Sequence, residues 1–296
     1  MMKKKRFLAS LLAGTMLLGL LASCGSPNGA ESSGPNGGTS AAPGTSDSGG
    51  EGTYVRKTAE GTLTVGLTDT ADSFDPAVSF NSVGMQLVYD SILVKDPFTG
   101  EITSDIAESW DYTDDCTLVI QFRDDVYFSN GEKMTAEDAL YSLNRMITEN
   151  SRWSTFVDAF NFEKSSAEGQ TLTLVTDEPF GPGLNYLTTR YASVLCKSYA
   201  ESCSDEDFWD KPVGTGPYEC KENVSGSHST YTAKADYWGE TPEISTITTR
   251  YYAEQSSMML DYENGDLDMA FDLSVSDADR ALNTGIEHSV PVLAPV

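Results

Sequence analysis

The chain has 296 residues, a formal net charge of −26 and an apolar fraction of 39%. That length predicts about two domains, and the acidity excludes nucleic acid and anionic headgroups as direct partners, because both attract basic surfaces. The sequence contains no GxSxG, HExxH or paired nucleophile motif and only two histidines. It therefore predicts a protein without catalytic residues, a resident metal or a cofactor.

Residues 1–23 have the pattern of a bacterial export signal. Four basic residues at 3–6 precede an apolar run at 7–21 that is too short for a stable transmembrane helix. Loss of these four basic residues with the signal would leave a net charge of −30. The Leu-Ala-Ser-Cys run at 21–24 resembles a lipobox, which makes Cys24 the predicted lipid attachment site. An ordinary signal with a chance cysteine is the alternative.

Residues 24–57 are predicted to be the lipidated cysteine and a flexible linker. The segment consists mainly of Gly, Ser, Pro, Asn, Thr and Ala, which cannot bury apolar area, and its root-mean-square reach is about 30 Å. Four more cysteines leave three disulfide connectivities and a fully reduced state open. They are Cys116, Cys196, Cys203 and Cys220.

The folded sequence begins near residue 54. Apolar and polar residues alternate from 62 to 67, which is the period of a β-strand. An Asp75-Pro76 turn follows, in which the proline restricts the conformation of the residue before it. Apolar residues at helical spacing then predict a helix over 83–93, and a second turn is predicted at 96–100.

The stretch 107–147 contains a strand, a turn and a helix in that order. Leu118, Ile120 and Phe122 alternate with their neighbours and predict a strand with one buried face. Gly131 supplies the turn, where it is free to adopt a positive φ. Thr135 precedes Asp138 by three residues, as in a capping box, and is the predicted N-cap. The buried stripe of the helix is predicted to be Ala139, Leu140, Leu143, Met146 and Ile147.

The remaining elements are shorter. A strand is predicted over 171–176, with Leu172 and Leu174 pointing inward. The Val-Gly-Thr-Gly-Pro-Tyr run at 213–218 predicts a tight turn entering a strand, since no GxGxxG or GK[ST] motif accompanies it. A strand after residue 244, a helix over 256–264 with Gly265 past its C-terminus, and a strand over 267–271 complete the pattern.

Several of these segments together resemble one protein family. AESW at 107–110, a strand ending in FR at 122–123, DDVYFSNGEKMTAEDALYSLNRM at 124–146, VGTGPY at 213–218, ADYWG at 235–239 and GDLDMAF at 265–271 are similar to the bacterial extracellular solute-binding proteins of family 5. These are substrate-binding lipoproteins of peptide- and nickel-type ABC transporters. The resemblance covers roughly residues 60–290. Ile120 and Val119 depart from the family's usual residues, but both suit a strand.

The resemblance implies a fold and a domain organisation. We expect an α/β chain of the periplasmic-binding-protein-like type II class. Residues 58–95 and 186–290 would form the first lobe, and 96–185 an inserted β-rich subdomain. Residues 291–296 would begin the crossover to a second lobe that this chain lacks, so we expect a truncated form.

The resemblance also implies a function. We expect a lipoprotein that captures oligopeptides or dipeptides outside the cell and delivers them to the permease subunits of an ABC importer. It would be anchored to the outer face of the cytoplasmic membrane, on the periplasmic side if the cell has an outer membrane. Two alternatives stay open: another solute, such as a nickel chelate, an oligosaccharide or an opine, and a surface adhesin without a transport role.

Five ligand-binding residues follow from the resemblance. Ser79, Phe80 and Asn81 come directly after the Asp75-Pro76 turn, where relatives contact their ligand, although a plain surface loop is the alternative. Trp153 would reach the cleft from the inserted subdomain, with core packing as its alternative. Thr249 falls at a position on the edge of the cleft in relatives.

Overall fold

The computed structural model describes residues 61–68, 73–78, 82–149, 151–202 and 210–282. The predicted signal, Cys24, the linker, Ser79, Phe80, Asn81, Cys203 and residues 291–296 lie outside the described residues. The chain divides into two compact units, residues 1–49 and 50–296, and every described residue belongs to the second unit. In the described ranges, no helix is both long and apolar enough to cross a bilayer.

The described residues form strands and helices in a mixed order. The strands are β1 (Thr62–Leu67), β2 (Leu93–Lys95), β3 (Ile102–Ser104), β4 (Ala107–Asp114), β5 (Thr117–Phe122), β6 (Ser166–Glu168), β7 (Thr171–Val175), β8 (Tyr218–Val224), β9 (His228–Ala233), β10 (Thr246–Tyr251) and β11 (Met269–Ala270). The helices are α1 (Ser82–Val88), α2 (Ala136–Thr148), α3 (Gly183–Tyr186), α4 (Lys197–Ser202), α5 (Gln255–Glu263) and α6 (Val275–Leu282), with 3-10 turns at Ser154–Phe156 and Arg190–Ala192.

A five-stranded sheet has the order β11-β1-β10-β9-β8. β1 pairs in parallel with both β10 and β11, whereas β9 runs antiparallel to β10 and β8. Parallel pairing brings the carboxyl ends of β1, β10 and β11 to one edge of the sheet. In open α/β sheets this edge is where ligands usually bind.

The predicted strand at 62–67 is confirmed as β1, but its alternation does not carry over to burial. Residues 64–67 are all buried, because a central strand with parallel neighbours is covered on both faces. Gly66 lies under α5 and the start of β11. A Cβ atom there would lie 2.6 Å from Leu267 Cδ1 and 2.8 Å from Met258 Cγ.

A four-stranded antiparallel sheet has the order β4-β5-β7-β6 and packs against α2. The predicted inward residues of β5 and β7 are buried and in the same core cluster, which confirms both strand predictions. They are Leu118, Ile120, Phe122, Leu172 and Leu174. Gly131 has the predicted positive φ, 85°.

Helix α2 begins where the sequence predicts it to begin. Thr135 is the N-cap, with extended backbone, and Asp138 Oδ2 accepts hydrogen bonds from its backbone N–H at 2.9 Å and its hydroxyl at 2.8 Å. Ala139, Leu143 and Met146 are fully buried, whereas Leu140 and Ile147 pack at the margin of the core.

Two of the sequence predictions for element length were wrong. The helix predicted over 83–93 ends at Val88, whose carbonyl accepts the Gly216 N–H at 2.9 Å, and Leu93 already begins β2. The strand predicted over 267–271 contains only Met269 and Ala270. Gly265 does follow α5 with the positive φ, 75°, expected after a helix C-terminus.

The turn predicted at 213–218 is confirmed, and its glycines permit a close contact with α1. A Cβ atom at Gly214 would lie 2.1 Å from the Val88 carbonyl oxygen, and one at Gly216 would lie 2.6 Å from the Val88 carbonyl carbon. The motif therefore joins the start of β8 to the end of α1.

The four-stranded and the five-stranded sheet have separate hydrophobic cores. The core between α2 and the four-stranded sheet also contains Ile92, Leu93, Leu187 and Val194, which lie outside the range 96–185. A second core lies beneath the five-stranded sheet and includes Phe74, Met85 and Tyr231. The domain limits given in the sequence analysis stay predictions.

Buried polar groups join the two cores. Asp90 is 7% exposed, and its carboxylate accepts hydrogen bonds from the Tyr237 hydroxyl at 3.1 Å and the Trp238 indole N–H at 3.0 Å. Lys234 donates to the carbonyl groups of Thr215 and Tyr127. Burial raises the pKa of Asp90; burial and the nearby Asp90 charge raise the pKa of Asp105 to about 7.

Candidate functional site

The Asp75-Pro76 turn is a closely bonded segment of buried backbone. Asp75 is 3% exposed, and its Oδ1 accepts the Ala77 N–H at 2.8 Å while its carbonyl accepts the Val78 N–H at 3.1 Å. An aspartate side chain that bonds two residues ahead forms such a turn without help from a strand or helix. Residues 75–78, called the 75–78 turn from here on, lead directly into the predicted binding residues 79–81.

Arg145, in the last turn of α2, holds this turn with a two-pronged ion pair. Its two terminal nitrogens donate to Asp75 Oδ1 at 2.7 Å and to Oδ2 at 3.1 Å. The side chains are only 13% and 5% exposed, respectively. Burial raises the pKa of Asp75, while the bonds and charge of Arg145 act in the opposite direction. The paired geometry fixes both the position and the orientation of the carboxylate.

Ser151, just after α2, links the turn to the segment that follows. Its hydroxyl donates to the Ala77 carbonyl at 2.5 Å and accepts the Trp153 N–H at 3.1 Å. Its own N–H donates to the Met146 carbonyl at 3.1 Å. The end of α2 therefore carries the 75–78 turn on one side and Trp153 on the other.

Four half-buried aromatic side chains continue from Trp153 and are called the aromatic shelf: Trp153, Phe156, Tyr186 and Tyr191. The Trp153 and Tyr191 rings stack with centroids 4.7 Å apart and an interplanar angle of 25°. Phe156 lies 4.7 Å from Tyr191 and 5.1 Å from Tyr186. Trp153, Phe156 and Tyr191 also pack against the core of the four-stranded sheet, so the shelf lies at the margin of that core.

Two arginines flank the aromatic shelf in this otherwise acidic chain. Arg152 Cζ lies 6.0 Å from the Trp153 ring centroid, and Arg190 Cζ lies 5.0 Å from that of Tyr191. Arg190 also donates to the Tyr191 hydroxyl at 3.0 Å. Guanidinium groups next to aromatic faces suit a ligand that combines an apolar or aromatic part with a carboxylate.

The structure places the predicted site residues in two different parts of the fold. Trp153 lies on the aromatic shelf and is joined through Ser151 to the turn that precedes Ser79, Phe80 and Asn81. Thr249 is fully buried in β10, and its hydroxyl donates to the Tyr251 hydroxyl at 3.0 Å. The binding roles of all five residues stay predictions.

Sequence reasoning missed Arg145, Ser151, Arg152, Arg190 and Tyr191. Trp153 is the one residue of the shelf that the family resemblance indicated. A further signal was available, because a basic residue is scarce in a chain with 19 Lys and Arg against 45 Asp and Glu. Nothing local in the sequence connects Arg145 or Ser151 with a turn seventy residues earlier.

A second, shallower candidate is an open hollow of about 560 Å³ at the turn between β8 and β9. Ser227, His228, Arg250 and Tyr252 contribute to its lining. His228 Nε2 lies 3.3 Å from a Glu222 carboxylate oxygen. The hollow is wide open to solvent, and neither of the predicted binding residues that the structure describes lines it, so we take the turn and the shelf as the candidate site.

The cysteines and potential metal ligands add little to either candidate. Cys116, Cys196 and Cys220 are free thiols, and Cys203 lies outside the described residues. Among the residues that the structure describes, no three His, Cys, Asp or Glu side chains are grouped so that they could hold a metal ion.

Comparison with known proteins identifies one family. The family model described as bacterial extracellular solute-binding proteins, family 5 Middle, matches residues 101–291, more than half of the chain. A probable ABC transporter periplasmic-binding protein, SapA of Escherichia coli K12, is 28% identical over 177 residues, which cover 52% of this chain and 32% of that protein.

Solved structures show the same similarity at the level of the fold. A nickel ABC transporter protein from Bacillus halodurans superposes with a TM-score of 0.66 at 26% identity, covering 75% of this chain and 45% of that one. DppA from Helicobacter pylori in complex with the peptide STSA gives a TM-score of 0.65 at 21% identity, covering 74% of this chain and 48% of that one. The chain thus spans about a third of the curated relative and just under half of the solved ones.

Proposed function

This chain belongs to the bacterial extracellular solute-binding proteins of family 5, and from that premise we propose that it captures oligopeptides or dipeptides outside the cell for an ABC importer. The family resemblance read from the motifs is confirmed, and so is the α/β fold of the type II periplasmic binding proteins. The whole protein would pass its ligand to permease subunits in the membrane. It would act as a binding protein and not as an enzyme.

The observation that carries this proposal is the connection of the 75–78 turn to the aromatic shelf. Loop residues that follow the turn would offer main-chain groups to an extended peptide, as in strand addition. The shelf would accept an apolar or aromatic side chain of the peptide, and ordered water would fill the space beside smaller ones. Arg152 and Arg190 would attract a carboxylate of the ligand. Ser79, Phe80, Asn81 and Trp153 are the contacts proposed on this surface.

Thr249 requires a different role in the same proposal. Its hydroxyl is bonded inside the five-stranded sheet, close to the carboxyl end of β10. We propose that it supports the adjacent edge of the sheet, where Tyr251 ends the strand.

One observation favours a second candidate, a nickel complex with an organic acid or amino acid. The two arginines beside aromatic rings would attract an anionic chelate as well as a peptide carboxylate. The Bacillus halodurans structure is named as a nickel transporter protein, which supports this alternative. Oligosaccharides, opines and an adhesin role are further alternatives; the arginines favour anionic ligands over a neutral oligosaccharide, whereas an opine also carries a carboxylate that they would attract.

A thermal-shift experiment separates these ligands. The chain is heated alone, with a pool of short peptides, with nickel and excess L-histidine, with a neutral oligosaccharide, and with nickel chloride alone. A ligand at 100 times its Kd adds about 2.7 kcal/mol to the free energy of unfolding, so binding raises Tm. We expect peptides to raise Tm, and the rise to be lost in Trp153→Ala but retained in Tyr112→Ala, which removes an exposed aromatic from β4.

Three results would change the proposal. A rise with the nickel–histidine complex and not with peptides would support the second candidate. A rise with neither anionic ligand would contradict both. A peptide-dependent rise that persists in Trp153→Ala would move the site away from the aromatic shelf.

We also propose that the protein is a lipoprotein attached through Cys24. The lipobox-like sequence and the linker that follows support it, and a reach of about 30 Å would let the receptor meet a membrane permease. Cys24→Ala should abolish labelling by a radioactive fatty acid and release the protein into the medium or leave an uncleaved precursor. Labelling that persists in the variant would contradict the anchor without affecting the binding proposal.

A further inference from the structure

We propose that Ser151 and Arg145 are positioning residues that couple the 75–78 turn to the aromatic shelf, so that the two ligand-facing surfaces move as one. The proposal rests on the proposed function only for its biological meaning, because both surfaces are proposed to contact the solute. The coupling itself is a property of the chain without ligand. It can therefore be tested separately from any binding activity.

Ser151 is the direct link between the two surfaces. It is 6% exposed, and its single hydroxyl donates to the Ala77 carbonyl and accepts from the Trp153 N–H. Because the hydroxyl is buried, water cannot readily replace either bond, and the loss of the hydroxyl leaves two backbone groups without this partner. A displacement of the turn should therefore displace the Trp153 backbone, because Ser151 Oγ bonds both.

Arg145 is the second link, and it acts on the same turn. The Asp75 oxygen that receives its 2.7 Å bond also receives the Ala77 N–H at 2.8 Å. Ala77 is therefore held from both sides, its N–H through Asp75 and its carbonyl through Ser151. A displacement of either anchor changes the position of the backbone that leads into residues 79–81.

The common base of both links is the end of α2. Arg145 lies in its last turn, and the Ser151 N–H donates to the carbonyl of Met146, which is 1% exposed. Since the buried side of this helix is packed into the larger core, its end is a rigid support. The 75–78 turn is bonded to that support through Arg145 and Ser151, and Trp153 is bonded to it through Ser151, so the turn and the shelf should respond together.

Hydrogen exchange of individual amides tests the coupling in the ligand-free chain. Ser151→Ala removes the acceptor of the Trp153 amide, so faster exchange there is trivial. The informative amide is that of Ala77, because Ser151 bonds the Ala77 carbonyl whereas the Ala77 N–H donates to Asp75 Oδ1. Arg145→Lys keeps the charge but loses the two-pronged geometry, and its informative amide is Trp153. We expect Ser151→Ala to accelerate exchange of the Ala77 amide, and Arg145→Lys that of the Trp153 amide, by about tenfold. This is the size of effect expected for the loss of one buried hydrogen bond.

Ser165→Ala is the matched control. The Ser165 hydroxyl donates to the Asn161 carbonyl at 2.9 Å and accepts the Val175 N–H at 3.0 Å, the same pattern at a different place in the α2 region. It should leave exchange at both Ala77 and Trp153 unchanged. If Ser151→Ala unfolds the chain, the milder Arg145→Lys still supplies the cross-effect at Trp153.

The outcomes are distinct. Cross-effects in Ser151→Ala or Arg145→Lys that are absent from Ser165→Ala support the coupling, whether or not any ligand is found. Acceleration confined to the amides next to each substitution shows that the turn and the shelf are independent and overturns the proposal. Equal acceleration in all three variants would mean general loosening of the fold, which also overturns it. Failure of every peptide and nickel complex to bind would contradict the proposed function alone.

Discussion

The four-stranded sheet and the five-stranded sheet differ in how far along the chain their strands find partners. β4 to β7 all come from residues 107–175, and α2 lies between β5 and β6 in the sequence. In the five-stranded sheet, Thr62 of β1 pairs with Thr246 of β10. In the first sheet β5 and β7 each bury one face, whereas the second sheet includes β1, in which residues 64–67 are all buried by distant segments. Local patterning predicted the inward residues of β5 and β7 in the first sheet, but it did not predict the full burial of β1 in the second.

The largest expected effect tests whether the core of the four-stranded sheet has the buried face that its pattern predicts. Phe122 is 1% exposed at the end of β5. Phe122→Ala should lower the free energy of unfolding by about 3–5 kcal/mol, the range for a buried aromatic side chain. Urea denaturation measures this. Tyr112→Ala on the neighbouring β4, where the side chain is 40% exposed, is the control and should cost far less; equal losses would show that the pattern does not report burial.

The next effect concerns Asp105, one of the polar groups between the cores of the two sheets. Burial raises the pKa of Asp105 from 3.8 to about 7, so the folded chain keeps a proton that the unfolded chain releases near pH 4. The free energy of unfolding should therefore fall as pH rises between about 4 and 7 and level off above 7. From pH 5 to pH 8 we expect a loss of about 2–3 kcal/mol from this group.

Asp105→Asn provides the comparison, because an amide does not titrate. Denaturation of both proteins at each pH should show that the variant's stability changes less over this window than that of the unsubstituted chain. Parallel pH profiles would mean that Asp105 is solvated in the folded state and does not keep its proton there between pH 4 and 7.

A third prediction concerns the five-stranded sheet, at the turn before β8. Gly214→Ala would place a Cβ atom 2.1 Å from the Val88 carbonyl oxygen and should cost about 1–3 kcal/mol or more through backbone displacement. Gly181→Ala is the matched control, since no atom lies within 4 Å of its added Cβ. Thermal denaturation of both should show a loss only at position 214, and equal Tm values would contradict the close contact with α1.

The smallest effect belongs to the cap of α2. Thr135→Ala removes the N-cap hydroxyl and should cost about 1 kcal/mol. Thr113→Ala removes an exposed threonine hydroxyl that bonds the Thr117 carbonyl at 3.5 Å and should be close to neutral. The difference, measured by urea denaturation, shows how much of the well-predicted region depends on local capping; no difference would mean that packing alone fixes the start of α2.

The same contrast explains which predictions were correct. The N-cap at Thr135 and the glycine at 265 depend on interactions within a few residues, and the inward residues of β5 and β7 follow a period of two along each strand, so the sequence displays them. The end of α1 depends on Gly216, and the full burial of β1 depends on Leu267 and Met258. Interactions between segments so far apart leave no periodic signal in a single sequence.

The candidate site was only partly predictable for the same reason. The motifs indicated the family, and the resemblance to that family indicated Trp153. The aromatic shelf needs Tyr186 and Tyr191 from another segment, and the 75–78 turn needs Arg145 and Ser151 from α2 and its end. Each of these contacts forms only after the chain has folded over some seventy residues or across the core of the four-stranded sheet.

We propose above all that the 75–78 turn and the aromatic shelf form one solute-binding surface. The most direct test is a two-dimensional NMR titration of the chain with short peptides, which detects even weak binding residue by residue. We expect the perturbed amide and indole signals to belong to Ala77, Val78, Trp153, Phe156 and Tyr191. Perturbations confined to the hollow lined by Ser227, His228 and Arg250, with the turn and the shelf unchanged, would contradict it.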